Sequence, residues 1–304
     1  MTIGVTMIAY LMLYVLNVRT SGGIAREILG NRATPQLINQ FDRANWLNRS
    51  FFVQYWHFSW RLLHGNFGYS YIQNRSVDSL IDADLPRDLV LGIPSLIFSL
   101  MIAIPVGVAQ AVRRNRLGDY AGTAISFILY SMPAYAVAIL LIQFLSISLK
   151  IFPAEAPQGT SAWGMLSDVK ALVLPIASLT LVSYAYFSRY MRSSAIDTLA
   201  QDYIRTARAK GLSERLVLWR HLLRNSLISV VTLVGLSIPV ILTGGLIIEN
   251  VFNFPGLGLL YYNATEQGDF QVMLGITVLV GLATVIGNLL ADIGYALLDP
   301  RIRY

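Results

Sequence analysis

Long uncharged apolar runs alternate with short basic segments along this chain. Runs at 1–18, 89–112, 120–149, 171–188, 226–248 and 271–298 reach or approach the ~20 residues that an α-helix needs to cross a bilayer core. The pattern predicts an all-α, polytopic membrane protein with six transmembrane helices. Pro133 removes a backbone donor inside the run 120–149, so a kink and a separate interfacial piece are expected there. Pro239 and the Gly244–Gly245 pair should loosen the fifth span and act as a hinge. Asp292 is the one acid inside a run, near its end.

The first run lacks the basic leader and small-residue cleavage site of a secretory signal and is read as a span. Residues 19–88 form a long polar stretch carrying Trp46, Phe51, Phe52, Tyr55, Trp56, Phe58 and Trp60, too aromatic for a plain linker. They are expected to form a small extracytoplasmic subdomain whose centre, Phe51–Leu63, is an amphipathic helix at the membrane interface. The organisation is therefore a first helix (1–18), an extracytoplasmic insertion (19–88) and a five-helix core (89–304) containing a cytoplasmic loop at 192–225.

Basic residues set the orientation. Arg113, Arg114 and Arg116 lie in one loop, Arg189 to Arg224 in another, and Arg301 and Arg303 at the tail, whereas 249–270 holds Glu249, Glu266 and Asp269 without a Lys or Arg. By the positive-inside rule the basic segments face the cytoplasm and both termini lie inside, because an insertion as long as 19–88 translocates largely regardless of charge. Composition agrees with a membrane protein: 55% of the 304 residues are hydrophobic and 13% charged, against about 25% charged in soluble domains. The net charge of +6 follows from the arginines flanking the spans and is not a nucleic-acid signal.

Catalytic chemistry is missing. There is no cysteine, the three histidines (His57, His64, His221) lack metal-ligand spacing, and neither H-E-x-x-H nor a phosphate-binding G-x-x-x-x-G-K-[ST] occurs. We expect no catalytic residue, no metal and no cofactor in this chain. Small residues in the spans, among them Gly235, Gly275, Gly281 and Gly287, are read as close helix packing. Gln143, Thr243 and Asn288 are polar groups that could face a path.

The segment 202–231, DYIRTARAKGLSERLVLWRHLLRNSLISVV, organises the rest. A helical run rich in basic residues ends at Lys210, Gly211 can take a left-handed stop, and Ser213 can cap a second helix with Glu214 in its first turn, so two short helices are expected to meet at a glycine elbow. Leu212, Leu216, Trp219 and Leu223 then recur at three- and four-residue steps as one apolar stripe. Ala207, Gly211, Leu212, Ser213 and Val217 also suit a DNA-binding helix-turn-helix. Such a module needs a third helix, for which the interval 189–225 has no room, and no nucleic-acid partner is expected.

Residues 202–215 resemble the cytoplasmic EAA loop of ABC transporter permeases, in the variant of the oligopeptide/dipeptide/nickel group. The resemblance continues through Arg220-His221, Leu223-Arg224-Asn225, the run ENVFNFPGLG at 249–258 and the terminal LDPRIRY. Upstream it includes FVQY at 52–55, GNFGYS at 65–70 and IPVGV at 104–108. Arg205 stands where the family often has an acid, and Ser229 where a proline is common, which puts in doubt the bend entering the next helix.

The resemblance implies an inner-membrane permease subunit of a binding-protein-dependent importer of bacteria or archaea. Its implied partners are a second homologous permease, two ATPase subunits carrying ATP and magnesium, an extracytoplasmic solute-binding protein and the lipid bilayer. Arg205, Ala207, Arg208, Lys210, Gly211, Leu212, Ser213, Glu214, Arg215, Leu216 and Trp219 would form the ATPase-coupling loop, with Pro255 and Gly256 in an external gate or docking rim. Short peptides are the expected cargo, with nickel, glutathione or oligosaccharide as alternatives. A passive channel or membrane anchor is the competing class.

Overall fold

In a computed structural model of the chain, residues 33–159, 161–242 and 245–298 are described, with isolated positions of the N-terminal segment between Gly4 and Arg26. The expected first span therefore lies mostly outside the described residues, as do Thr243, Gly244 and the tail after Leu298.

Two short helices, α1 (Pro35–Ala44) and α2 (Phe51–Leu63), precede a hairpin of β1 (Tyr69–Ser70) and β2 (Arg75–Ser76), paired Tyr69 to Ser76 and Ser70 to Arg75. Then follow α3 (Val77–Val112), α4 (Leu117–Ser131), α5 (Ala134–Ser148), α6 (Ala162–Leu166) and α7 (Val169–Leu199). The second half contains α8 (Asp202–Ala209), α9 (Glu214–Leu236), α10 (Ile238–Leu242), α11 (Leu246–Phe252), α12 (Leu257–Gln267) and α13 (Phe270–Leu298). Among the described residues α3, α7 and α13 are each long and apolar enough to span a membrane, and the bent pairs α4–α5 and α9–α11 raise the number to as many as five.

α3 begins well before the expected boundary at 89. Ser76 caps it by accepting from the Ser79 amide, Asp78 sits in the first turn, and the helix continues past Pro86. The last part of the polar stretch is thus span helix, not subdomain. The kink expected at Pro133 is sharper than a kink, because α4 and α5 meet at 104°. α2 forms where expected, but it is not simply laid on the bilayer. Its Phe58 packs with Tyr10, Leu274 and Val278 against α13, and its buried Gln54 accepts from Tyr10 and donates to the Leu47 and Arg49 carbonyls. Phe52, Trp56, Trp60 and Leu63 face outward.

α3 and α7 run alongside each other in the same direction, Leu91 clustering with Leu172 and Leu174 near one end and Ala111 with Ala195 near the other. α9 and α13 cross where a Cβ on Gly235 would stand 2.6 Å from the Gly287 carbonyl oxygen. Close packing is thus what these two glycines allow.

Candidate functional site

At the basic end of the bundle α8 and α9 meet in an elbow. The Lys210 amide closes onto the Thr206 carbonyl, and Gly211, at φ +77°, turns the chain so that the Leu212 amide reaches the Ala207 carbonyl at 3.3 Å. No atom lies within 4 Å of the place a Gly211 Cβ would take. Glycine is required there by backbone conformation, not by space. Ile204, Ala207 and Val217 are buried on the inner side with Leu212 half covered against them, while Arg205, Arg208, Lys210, Ser213, Glu214, Arg215, Leu216 and Trp219 are exposed.

Two expectations about this elbow need correction. Ser213 occupies the cap position and its carbonyl accepts from Val217 at 3.0 Å, but its hydroxyl makes no capping bond. The second helix is not short either, because α9 runs on to Leu236 through a π-helical stretch, Val217–Leu223. The wider turn rotates later side chains relative to a 3.6-residue period, so the stripe is split. Val217 and Leu222 are buried in its place, Leu223 packs against the span cluster, and Trp219 is left 66% exposed beside Pro105 and Val108 of α3.

Ion pairs order the elbow. Arg208 donates from Nε and Nη2 to both carboxylate oxygens of Glu214, at 2.8 and 3.2 Å, and Arg205 reaches Asp202 at 3.5 Å. Among the described residues Lys210 and Arg215 form no ion pair. Below the elbow, hydroxyls join the two helices that flank it: Ser226 of α9 donates to Thr198 of α7 and Ser194 of α7 to the Ser226 carbonyl, while Asn225 of α9 donates to Tyr203 of α8. Ser229 lies within α9 and its hydroxyl donates to Ser194. Beside it, Arg192 on α7 holds Asp119 on α4 through two bonds of 2.6 and 2.8 Å. Asp292 is exposed.

The opposite end holds a pair of acids that sequence reasoning missed. Glu249, counted there as a loop acid, is buried within α11, and Asp88 is buried on α3; both are 0% exposed. Asp88 Oδ2 accepts from the Leu257 amide at 3.0 Å and Glu249 Oε2 from the Leu259 amide at 2.9 Å. Two carboxylates therefore cap the N-terminus of α12, where free amides and the helix dipole favour negative charge. Gly256 is required because a Cβ there would overlap Asp88 Oδ1 and lie 2.6 Å from Glu249 Oε2, and one on Gly258 would lie 2.9 Å from the Glu249 carboxyl carbon. Arg87 bonds Asp84 at 2.7 Å and the Pro255 carbonyl at 3.3 Å. The turn chemistry of Pro255–Gly258 is thus a consequence of this clip.

Between the two ends, α3, α4, α7, α9 and α10 border a half-open cleft of about 380 Å³, reached by Ser95, Tyr130, Ser183, Tyr186 and Ser237 and lined, among the described residues, by no Asp, Glu, Lys, Arg or His. Gln143 and Asn288 do not line it. Pro239 lies in α10 next to it, and Gly245, at φ +78°, starts α11; Gly244 lies outside the described residues.

Three long apolar helices, two bent pairs and a basic elbow between two of the spans define a polytopic, helical membrane permease. Residues 103–304 match the family described as binding-protein-dependent transport system inner membrane component, and the chain belongs to that family. It is an inner-membrane permease of a binding-protein-dependent ABC importer. Over 274 residues it is 40% identical to the oligopeptide transport system permease protein AppB of Bacillus subtilis, covering 88% of this chain and 87% of that one. Over 283 residues it is 36% identical to the glutathione transport system permease protein GsiC of Salmonella choleraesuis, covering 93% and 90%. Its fold is that of a methionine ABC transporter, MetNI, in an inward-facing conformation, with a TM-score of 0.55 at 20% identity over 74% of this chain and 97% of that chain. A crystallised amino acid ABC transporter gives a TM-score of 0.56 at 13% identity over 72% and 94%.

Proposed function

We propose that this chain is one of two homologous permease subunits of an ATP-driven importer of short peptides. It crosses the membrane six times with both termini and the basic elbow in the cytoplasm. The observation that carries this reading is the exposed elbow, Arg205 to Trp219, at the end of α9, which Ser226 joins to Ser194 and Thr198 of α7. ATP and magnesium bind on two separate ATPase subunits, into whose cleft the elbow docks. Lys210 and Arg215 meet acidic groups there, Leu216 and Trp219 supply apolar contact, and Arg205 and Arg208 exchange or share their present partners.

Closure of the ATPase dimer moves the elbow, and with it α7 and α9, as a rigid body that switches access from one side to the other. Cargo delivered by an extracytoplasmic binding protein passes the cleft at Ser95, Tyr130 and Tyr186, whose lining without charged side chains suits a neutral or overall zwitterionic solute. Pro239 and Gly245 give the fifth span its hinge. The naming of similar permeases for oligopeptides and for glutathione supports peptide-like cargo.

Affinity purification of this chain from its native membrane, with mass spectrometry of co-purifying proteins and ligand, tests the proposal. A second permease, ATPases and a loaded binding protein are expected, and the ligand on the binding protein names the cargo. Recovery of the chain alone, with no ATP-dependent uptake after reconstitution, overturns the proposal in favour of a passive channel or anchor.

A further inference from the structure

The carboxylate clip joins three segments far apart in sequence: Asp88 on α3, Glu249 on α11, and the amides of Leu257 and Leu259 at the start of α12. It lies under a second layer of contact, in which Leu257, Leu260 and Ala264 of α12 pack on Val77, Leu80 and Ile81 of α3. α11 is also embedded, Ile248 and Phe252 clustering with Leu91, Leu172 and Leu174. α9, the other half of the same span, packs on α13 and, through Val230 and Leu233, on Ala103 of α3 and Tyr184, Phe187 and Met191 of α7. The two halves of the fifth span thus pack at different levels of the same α3 and α7, with Gly245, at a positive φ, at the start of the α11 half, and it is this half that Glu249 ties to α12.

A capping serine or asparagine would satisfy the α12 amides without placing acids at the margin of an apolar span. Asp88 Oδ1 has no hydrogen-bond partner among the described residues, so the arrangement carries a desolvation cost that a simple cap avoids. Two ionisable groups retained in such a setting mark function more often than stability.

We propose that Asp88 and Glu249 are positioning residues for transport, fixing α12 to α3 and α11 so that the outer end of the bundle moves as one rigid piece. This rests on the importer reading above. When the elbow moves, the clip keeps α12 on α3 and α11, so the outer end opens or closes as a unit. Without it α12 would lag behind α3, and ATP hydrolysis would run without moving cargo.

The test uses the complete complex in vesicles with its binding protein, and wild-type ATP-driven uptake establishes the importer reading independently. Because the chain has no cysteine, Ala264→Cys, at a position 1% exposed on α12, gives a single reporter for a membrane-impermeant thiol reagent. With the clip intact, this cysteine stays protected both at rest and during ATP turnover; labelling that appears on adding ATP overturns the rigid-body proposal. Asp88→Ala and Glu249→Ala are expected to expose it and to cut uptake by about tenfold, the scale set by the loss of one hydrogen bond, with hydrolysis retained. Asp88→Asn and Glu249→Gln keep an acceptor for the same amides and restore uptake. Wild-type uptake in the alanine variants, or uptake and hydrolysis falling in step in every variant, overturns the assignment. Should the alanine variants fail to reach the membrane, the wild-type labelling result and the Asn and Gln variants decide it alone.

Discussion

Arg208 and Glu214 clasp each other across Gly211, with both guanidinium-to-carboxylate bonds formed at 2.8 and 3.2 Å. The pair is exposed, so its contribution to stability is about 1 kcal/mol or less; what it fixes is the angle of the elbow. Arg208→Glu and Glu214→Arg should each lower ATP-driven uptake with little change in melting temperature. The double reversal, which rebuilds the clasp with the charges exchanged, should recover most of it. Uptake that stays low in the double variant would show that Arg208 is read by a partner, not by Glu214.

Gly211 gives a sharper prediction, because its requirement is conformational. With φ +77° and open space around the missing Cβ, Gly211→Val meets no clash but must hold a β-branched residue in the left-handed region, a cost of about 1–3 kcal/mol. Loss of ATP-driven uptake with unchanged amounts of protein in the membrane is expected. Gly211→Asn, which tolerates that region, should transport near normally. Unchanged uptake in the valine variant would remove the coupling role from the elbow.

The elbow was legible in sequence because its determinants are local: a glycine stop, a basic helix before it and an acid just after. Among the described residues the runs that form α3, α7, α13 and the two bent pairs were legible because an apolar run has only one way to be long. What escaped was non-local or subtle. α3 extends back to Val77 through Asp78, Asp82, Asp84 and Arg87, and a hydropathy reading ends a span where charge begins even when the helix does not. The π stretch at 217–223 left the heptad-like spacing of Leu212, Leu216, Trp219 and Leu223 intact on paper while turning the later members to another face. Asp88 drew no reading and Glu249 counted only as a loop acid, since nothing near either one announces the other. The available signal was Pro255–Gly258: two glycines at the start of a helix mean backbone amides open to an acceptor, which here the protein supplies itself.

Asp119 and Arg192 join the start of α4 to α7, and the Asp119 side chain is only 2% exposed, with the Asn115 amide at 3.0 Å as a further donor. Removing the cation leaves a covered carboxylate without its fork. Arg192→Ala should destabilise the purified chain by about 3 kcal/mol, toward the lower end for a covered pair because Arg192 is partly open to solvent. Arg192→Lys, a point charge that cannot make both bonds, should fall between. Thermal unfolding in detergent orders the three proteins, and an alanine variant as stable as wild type would show that the pair contributes nothing net.

The crossing of α9 and α13 provides the last prediction. Gly235 and Gly287 face each other so closely that a Cβ on Gly287 would lie 3.2 Å from the Ile238 Cβ, in addition to the approach to the Gly287 carbonyl from Gly235. In a bilayer, helix association rests on such close contact more than on any hydrophobic drive, because lipid tails are as apolar as leucine. Gly235→Leu must therefore separate the two backbones, at a cost of about 1–3 kcal/mol for an overpacked site. Since α9 also carries the elbow, the strain is transmitted to it. The variant is expected to lower melting temperature and uptake together, whereas Gly211→Val lowers uptake alone. Measuring both quantities on both variants separates damage to packing from damage to transmission, and a Gly235→Leu protein that melts as wild type would contradict the close crossing itself.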